Sequence, residues 1–224
     1  YACQFFVLLP IVPRMKEIYF NLVDFSLLKI LKKFSQIFIG GAVLGLIVLF
    51  ERLLASQLPK GSISYLGYSS KIISLLLLLP TTALPTVLLP NLSGHWTTQN
   101  LDRLRYNLSL GIRIAFFIIF PICVWLFIYK IPLVYILLEK GNFDRVATHA
   151  VATALGCYTG VFLGVGIASI TGRGYFAIQN TFIPAVIMAA SFLFYVLIAI
   201  PLSRLFSYSG LALALSLTIL IGLA

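Results

Sequence analysis

Long apolar runs dominate the chain, and short polar stretches punctuate them. Residues Tyr1 to Leu9 are apolar, and Pro10 and Pro13 end that run, because proline cannot continue a helix. A polar stretch follows with Arg14, Lys16, Glu17, Asp24, Lys29, Lys32 and Lys33. Between Asp24 and Lys33, apolar Phe25, Leu27, Leu28 and Leu31 interleave with charges. That pattern predicts a short amphipathic helix on a membrane surface. Apolar runs of membrane-crossing length then cover 34–58, 62–89, 108–129, 146–170 and 181–202, with a last run from Gly210. Gly40, Gly41 and Gly45 give the run 34–58 a small face, which favours close helix approach. Pro80 and Pro85 interrupt the run 62–89 and Pro90 ends it, so kinks are expected there. The stretch 108–138 is too long for one straight span. Pro121, Lys130 and Pro132 divide it into a span to Tyr129 and a short interfacial helix.

The fold class that follows is all-α, a polytopic transmembrane helix bundle. Residues 1–9 read as the end of a transmembrane helix, 10–33 as a cytoplasmic amphipathic linker, and 34–224 as the helix bundle. The intervening turns are Pro59-Lys60-Gly61, the polar loop 91–107, and the loops 139–145, 171–180 and 203–209. Tyr1 and Ala224 both lie inside apolar runs, with no initiator Met and no basic leader. The expectation is a piece of a longer membrane protein.

Composition supports this class. Of 224 residues, 61% are hydrophobic and 10% charged, against roughly a quarter charged in a soluble domain. The net charge is +10, which in a soluble protein would suggest nucleic acid. Here the basic residues fall at the ends of apolar runs and no aromatic-and-basic stripe exists. They act as topology determinants and headgroup contacts, so no nucleic-acid partner is expected. The loops alternate sides. One set carries Arg14, Lys16, Lys29, Lys32, Lys33, Arg103, Arg105 and Arg173; the other carries Lys60, Lys140, Arg145 and Arg204, with Lys130 near it. The positive-inside rule puts the first set in the cytoplasm and Pro59-Lys60-Gly61 outside.

Candidate chemistry is sparse. Glu51, Arg52 and Lys71 stand within or near spans, and an ionisable residue at membrane depth marks a functional hypothesis because it is costly there. In a hairpin turning at Pro59 to Gly61, Glu51 and Lys71 fall at similar depth, so a Glu51–Lys71 pair is geometrically possible. Two readings stay open. One is a cationic site for an anionic substrate, with Glu51 holding the charge in place. The other is an ion pair that lets two helices insert, or a Lys71 that snorkels outward. Ser56, Ser62, Ser64, Ser69, Ser70 and Ser74 cluster at the hairpin, either lining a polar cavity or packing helices. Arg113 reaches headgroups. His95 and His149 have no partner in sequence, and Cys3, Cys123 and Cys157 are far apart without metal-ligand spacing. No metal site, cofactor site, nucleophile elbow, P-loop or paired-carboxylate arrangement is present. An enzyme is not expected.

At the hairpin the sequence resembles a known family. Ala55-Ser56-Gln57-Leu58-Pro59-Lys60-Gly61-Ser62-Ile63-Ser64-Tyr65-Leu66-Gly67-Tyr68-Ser69-Ser70-Lys71 is similar to the "ASxLxxGSxSxLxYAxR" segment of the MurJ (MviN) lipid II flippases. Ala83 to Ser93 is similar to that family's "alxtvLLPxLS". Gly141-Asn142-Phe143 matches its "GxF", and Arg173, Tyr175, Phe176, Ala177 and Pro184 resemble its "R.FYA….P" loop. Each motif alone is weak, but four in order and spacing are specific. The resemblance implies a two-lobe, fourteen-helix transporter of the MOP superfamily, of which this chain would hold the end of the sixth helix through the twelfth. It implies a lipid II flippase of the bacterial inner (plasma) membrane, active in peptidoglycan and cell-wall biogenesis. Lipid-linked precursor would move from inner to outer leaflet by alternating access, with lipid II pyrophosphate, membrane lipids and a coupling ion as partners. Lys71 falls where the family has a central-cavity arginine, and its implied role is contact with the pyrophosphate. Lysine is a point charge without the bidentate fork of arginine. Glu51 stands where the family has Asp or Asn, and Arg52, untypical there, is a candidate to supply the missing guanidinium. The family's proline near Leu76 is absent. Two other readings are a related MOP exporter of polysaccharide units or drugs, and a non-transporting membrane component.

Overall fold

The computed structural model describes residues 25–140 and 143–223, apart from the side chains of 25–33, 36, 37 and 39. The expected helix end at 1–9, the linker up to Asp24, Cys3, and Gly141-Asn142 lie outside the described residues. The backbone divides at Ser35, and the packing described below belongs to 36–224.

Helices account for nearly all of it: α1 Phe25–Ser56, α2 Ser62–Leu78, α3 Leu84–Thr97, α4 Leu101–Ile128, α5 Lys130–Leu138, α6 Arg145–Ala177 and α7 Phe182–Ile221. Among the described residues four helical stretches are long and apolar enough to cross a membrane: Ser62–Thr97, Leu101–Ile128, Arg145–Ala177 and Phe182–Ile221. The chain is an all-helical membrane bundle. Its backbone is helical from Phe25 without a break at 33/34, where a surface helix was expected to give way to a span.

The α1–α2 turn falls at Pro59-Lys60-Gly61. Gly61 takes φ 97°, a left-handed conformation that glycine adopts without strain. Pro80 and Pro85 do not stop the next helix. A single π-turn, Leu79–Ala83, absorbs the first proline and joins α2 to α3, as π-bulges do. Thr81 donates its hydroxyl to the Leu77 carbonyl at this bend, giving the backbone a partner there. Helix α3 then runs past Pro90 to Thr97. The polar stretch 91–107 is therefore mostly helix, with only 98–100 outside it. Polarity alone suggested a loop, but Asn91, Ser93 and Thr97 bond back to carbonyls within α3. The real stop is set by Asn100, which caps α4 by accepting from the Arg103 backbone N–H at 3.2 Å. Likewise α6 runs to Ala177, leaving 178–181 as the connection instead of 171–180.

Helix α7 is two arms. Ser207 adopts φ 56°, ψ −135°, and the chain reverses. A Cβ on Gly210 would stand 2.0 Å from the Leu202 carbonyl oxygen, and one on Gly222 would meet Ser191 Oγ at 3.2 Å. Positions 202 and 210, and 191 and 222, therefore face each other in an antiparallel hairpin. The reversal is tighter than the expected loop 203–209.

Helix α6 is the centre. Its buried positions include Val151, Leu155, Tyr158, Phe162 and Ile170. Gly156, Gly160 and Gly164 recur every four residues on one face. A Cβ at Gly160 would meet Ser216 Cβ at 2.8 Å, and at Gly164 the Ile219 Cγ2 at 2.5 Å, so the second arm of α7 lies directly on this strip. On another face Ser69 of α2 donates its hydroxyl to the Val151 carbonyl at 2.9 Å. Ser69→Ala is expected to lower stability by about 0.6 kcal/mol, read as a small Tm decrease in detergent. An unchanged Tm would remove this bond from the packing account. A separate small cluster buries Leu92, Leu104 and Ala177 beside Trp96 and Ile178.

Candidate functional site

Helix α1 stands off from the bundle. Within 40–56 it is held by long side chains: Phe50 meets Phe192 and Tyr195 edge-on at 6.4 and 6.2 Å, and Gly40 lies against Met188. Helices α1 and α2 thus leave a cleft of about 240 Å³ between them. Val48, Glu51, Arg52 and Ala55 line one wall, at the three- and four-residue spacing of one helix face. Ile63, Gly67, Ser70 and Ser74 line the other, and Tyr158 and Val161 of α6 close the floor.

Two of the three charged residues singled out by sequence are in this cleft. Arg52 is exposed within it. Glu51 is buried at 9% exposure, and its Oε1 accepts the Tyr158 hydroxyl. Lys71 is exposed beside Ser70 and is not among the lining side chains. The possible Glu51–Lys71 pair does not form. No ion pair joins them among the described residues, and the carboxylate faces α6.

The serine cluster divides between its two readings. Ser70 and Ser74 line the cleft, with their protons given to the Gly67 and Ser70 carbonyls. Their oxygens are left as acceptors, so an anion in the cleft depends on the cations. Ser69 is a packing residue, Ser62 and Ser56 bond locally to Pro59 and Leu53, and Ser64 is exposed outside the cleft lining.

Sequence reasoning missed Tyr158 and Tyr195. Tyr195 is fully buried, packs on Phe50 and leaves its hydroxyl without a hydrogen-bond partner. A tyrosine inside an apolar run carries no signal of its own, and Tyr158 lies 107 positions from its partner. The remaining candidates are elsewhere. Arg113, Arg103, Arg105 and His149 are exposed on their helices, and His95 is half-buried in the last turn of α3. Cys123 and Cys157 are free thiols. Among the described residues no three His, Cys, Asp or Glu side chains gather as a metal site would require. Phe143 of the expected "GxF" packs edge-on against Tyr68 at 5.7 Å, which ties the α5–α6 loop to α2.

Comparison with known proteins bears on this arrangement. A family model described as lipid II flippase MurJ matches residues 2–224. A probable lipid II flippase MurJ of Haemophilus influenzae is 30% identical over 200 residues, covering 85% of this chain and 38% of that protein. A second, from Buchnera aphidicola, is 27% identical over 217 residues, covering 96% of this chain and 42% of that protein. A solved structure titled lipid II flippase MurJ, inward closed conformation, superposes with a TM-score of 0.77 at 27% identity, covering 96% of this chain and 45% of that one. The chain spans about two fifths of the length of these curated relatives.

Proposed function

The chain belongs to the lipid II flippase MurJ family, and we propose that its protein moves lipid II, the lipid-linked peptidoglycan precursor, from the inner to the outer leaflet of the bacterial inner membrane. It is a membrane transporter rather than an enzyme. The observation that supports the reading is a cleft with an open guanidinium in it. Arg52 stands in it and Lys71 beside it, and neither is paired to a carboxylate. A cation without a counter-ion at membrane depth is costly. The cost is offset when a phosphate docks, because charge attraction strengthens as water thins. In this reading Arg52 offers the bidentate fork and Lys71 the point charge. Glu51, buried behind them, sets the local charge.

The cleft's 240 Å³ is below the usual range for a whole drug-sized ligand. It suits a pyrophosphate, with the saccharide and peptide lying beyond it and the lipid tail staying in hydrocarbon. Alternating access then carries the headgroup between the two sides, with a coupling ion as the proposed source of energy. The test is complementation. The gene encoding this chain, expressed in bacteria depleted of their own lipid II flippase, is expected to prevent lysis. Lysis with the protein confirmed in the membrane would overturn the substrate assignment and favour a polysaccharide-unit exporter.

A further inference from the structure

Glu51 lies next to Arg52 in sequence and one helix away from Lys71, yet it forms an ion pair with neither. The reason is on the third helix. Tyr158 of α6, at 2% exposure, donates its hydroxyl to Glu51 Oε1. Within 40–56 this is the polar bond that ties α1 to another helix. Phe50, one position earlier, is wedged edge-on between Phe192 and Tyr195, which fixes the rotation of α1 and aims Glu51 at α6. The same rotation sets Glu51 and Arg52 side by side on the cleft wall, with the carboxylate turned to α6 and the guanidinium left open. A buried carboxylate deprived of the hydroxyl has to find another partner or remain uncompensated. Arg52, which shares its wall of the cleft, is the cation at hand.

We propose that Tyr158 is a positioning residue that keeps Glu51 from quenching the cleft, so that Arg52 and Lys71 hold their charge for the anionic headgroup. This rests on the reading of the cleft as a pyrophosphate site. The side chain lies at the floor of the cleft, with its hydroxyl committed to Glu51. It acts by holding a competing anion away, and the hydroxyl alone does the work, since the ring would pack equally as phenylalanine.

The experiment measures binding of a polyprenyl pyrophosphate to the purified full-length protein in nanodiscs, with Tm recorded for each variant. Tyr158→Phe is expected to weaken binding about tenfold per folded protein, the effect of one competing charge at a partly desolvated site. Adding Glu51→Gln to that variant is expected to restore most of the loss, because an amide does not neutralise a cation. Glu51→Gln alone is expected to tighten binding. It keeps the acceptor for the hydroxyl, and it carries the test if Tyr158→Phe does not insert. A purely structural role would lower Tm while leaving affinity per folded protein unchanged, and that result overturns the proposal. So does a loss in Tyr158→Phe that Glu51→Gln fails to rescue, or weaker binding by Glu51→Gln alone. If the unaltered protein binds no pyrophosphate lipid, the functional reading falls and this proposal with it. If it binds and Tyr158→Phe binds equally, only this proposal falls.

Discussion

Lys71→Ala is expected to abolish rescue of a flippase-depleted strain while the protein still reaches the membrane. Lys71 is exposed on the same helix as Ser70 and Ser74, which line the cleft. Alanine at 71 leaves the helix intact, since alanine is the best helix former, and it removes a charge that a membrane protein carries only at a cost. Loss of one phosphate contact from a desolvated site is worth about a hundredfold in affinity. Lys71→Arg is expected to rescue at least as well as lysine, because the guanidinium adds a fork that matches phosphate. The measurement is survival across an inducer series, with protein level followed by immunoblot. Full survival of Lys71→Ala at ordinary expression would take Lys71 out of the site and leave the cleft to Arg52.

The second large effect is structural. Gly210→Ala is expected to destroy the α7 hairpin. The added Cβ would sit 2.0 Å from the Leu202 carbonyl oxygen and 2.5 Å from its carbon. These are backbone atoms, so no rotamer change relieves the clash and the two arms have to separate. Separation would also strip the second arm from the glycine strip of α6, where Ser216 and Ile219 pack. The combined cost exceeds about 4 kcal/mol, the range reserved for named structural failures. The check is elution as a single species in mild detergent, together with Tm. A Gly210→Ala protein that elutes as one species with Tm within about 2 °C of the unaltered chain would refute the hairpin register. Gly166 gives a contrast. A Cβ there would meet the tip of the Ile119 side chain at 2.3 Å, and a flexible tip can turn away.

Much of this architecture is legible in sequence, for identifiable reasons. Apolar length marks the four long helical stretches from Ser62 onward, and Pro59-Lys60-Gly61 marks the first turn because left-handed backbone and proline both need special residues. Lys130 and Pro132 mark the α4–α5 break at Tyr129. The errors of helix end arise where polarity stands in for backbone chemistry. Residues 91–97 are polar and helical together, since their side chains bond to carbonyls of their own helix. The reversal at Ser207 uses neither glycine nor proline at the turning residue, and its signal is Gly210, whose role appears only when the opposing backbone is in place. In the cleft, Glu51 and Arg52 are conspicuous as charges in an apolar run. Their environment is not, because it depends on a tyrosine from a helix a hundred positions away. The motif resemblance points to Lys71, while the geometry adds Tyr158, which no local pattern marks.

One consequence concerns the far ends of the long helices. The stretch Ser62–Thr97 has 36 residues, about 54 Å at 1.5 Å per residue, against a hydrocarbon core of about 30 Å. A tilt of about 20° shortens that excess little. Leu92 lies 30 residues beyond Ser62, about 45 Å along the helix, and there it gathers with Leu104 and Ala177. Were the hydrocarbon core to begin at Ser62, that knot would stand beyond it, toward water. Helices in lipid gain nothing by hiding apolar surface from a medium as apolar as themselves, and fit alone holds them. The knot would then be held by the release of water, with the heat-capacity signature that makes such contacts weaken on cooling.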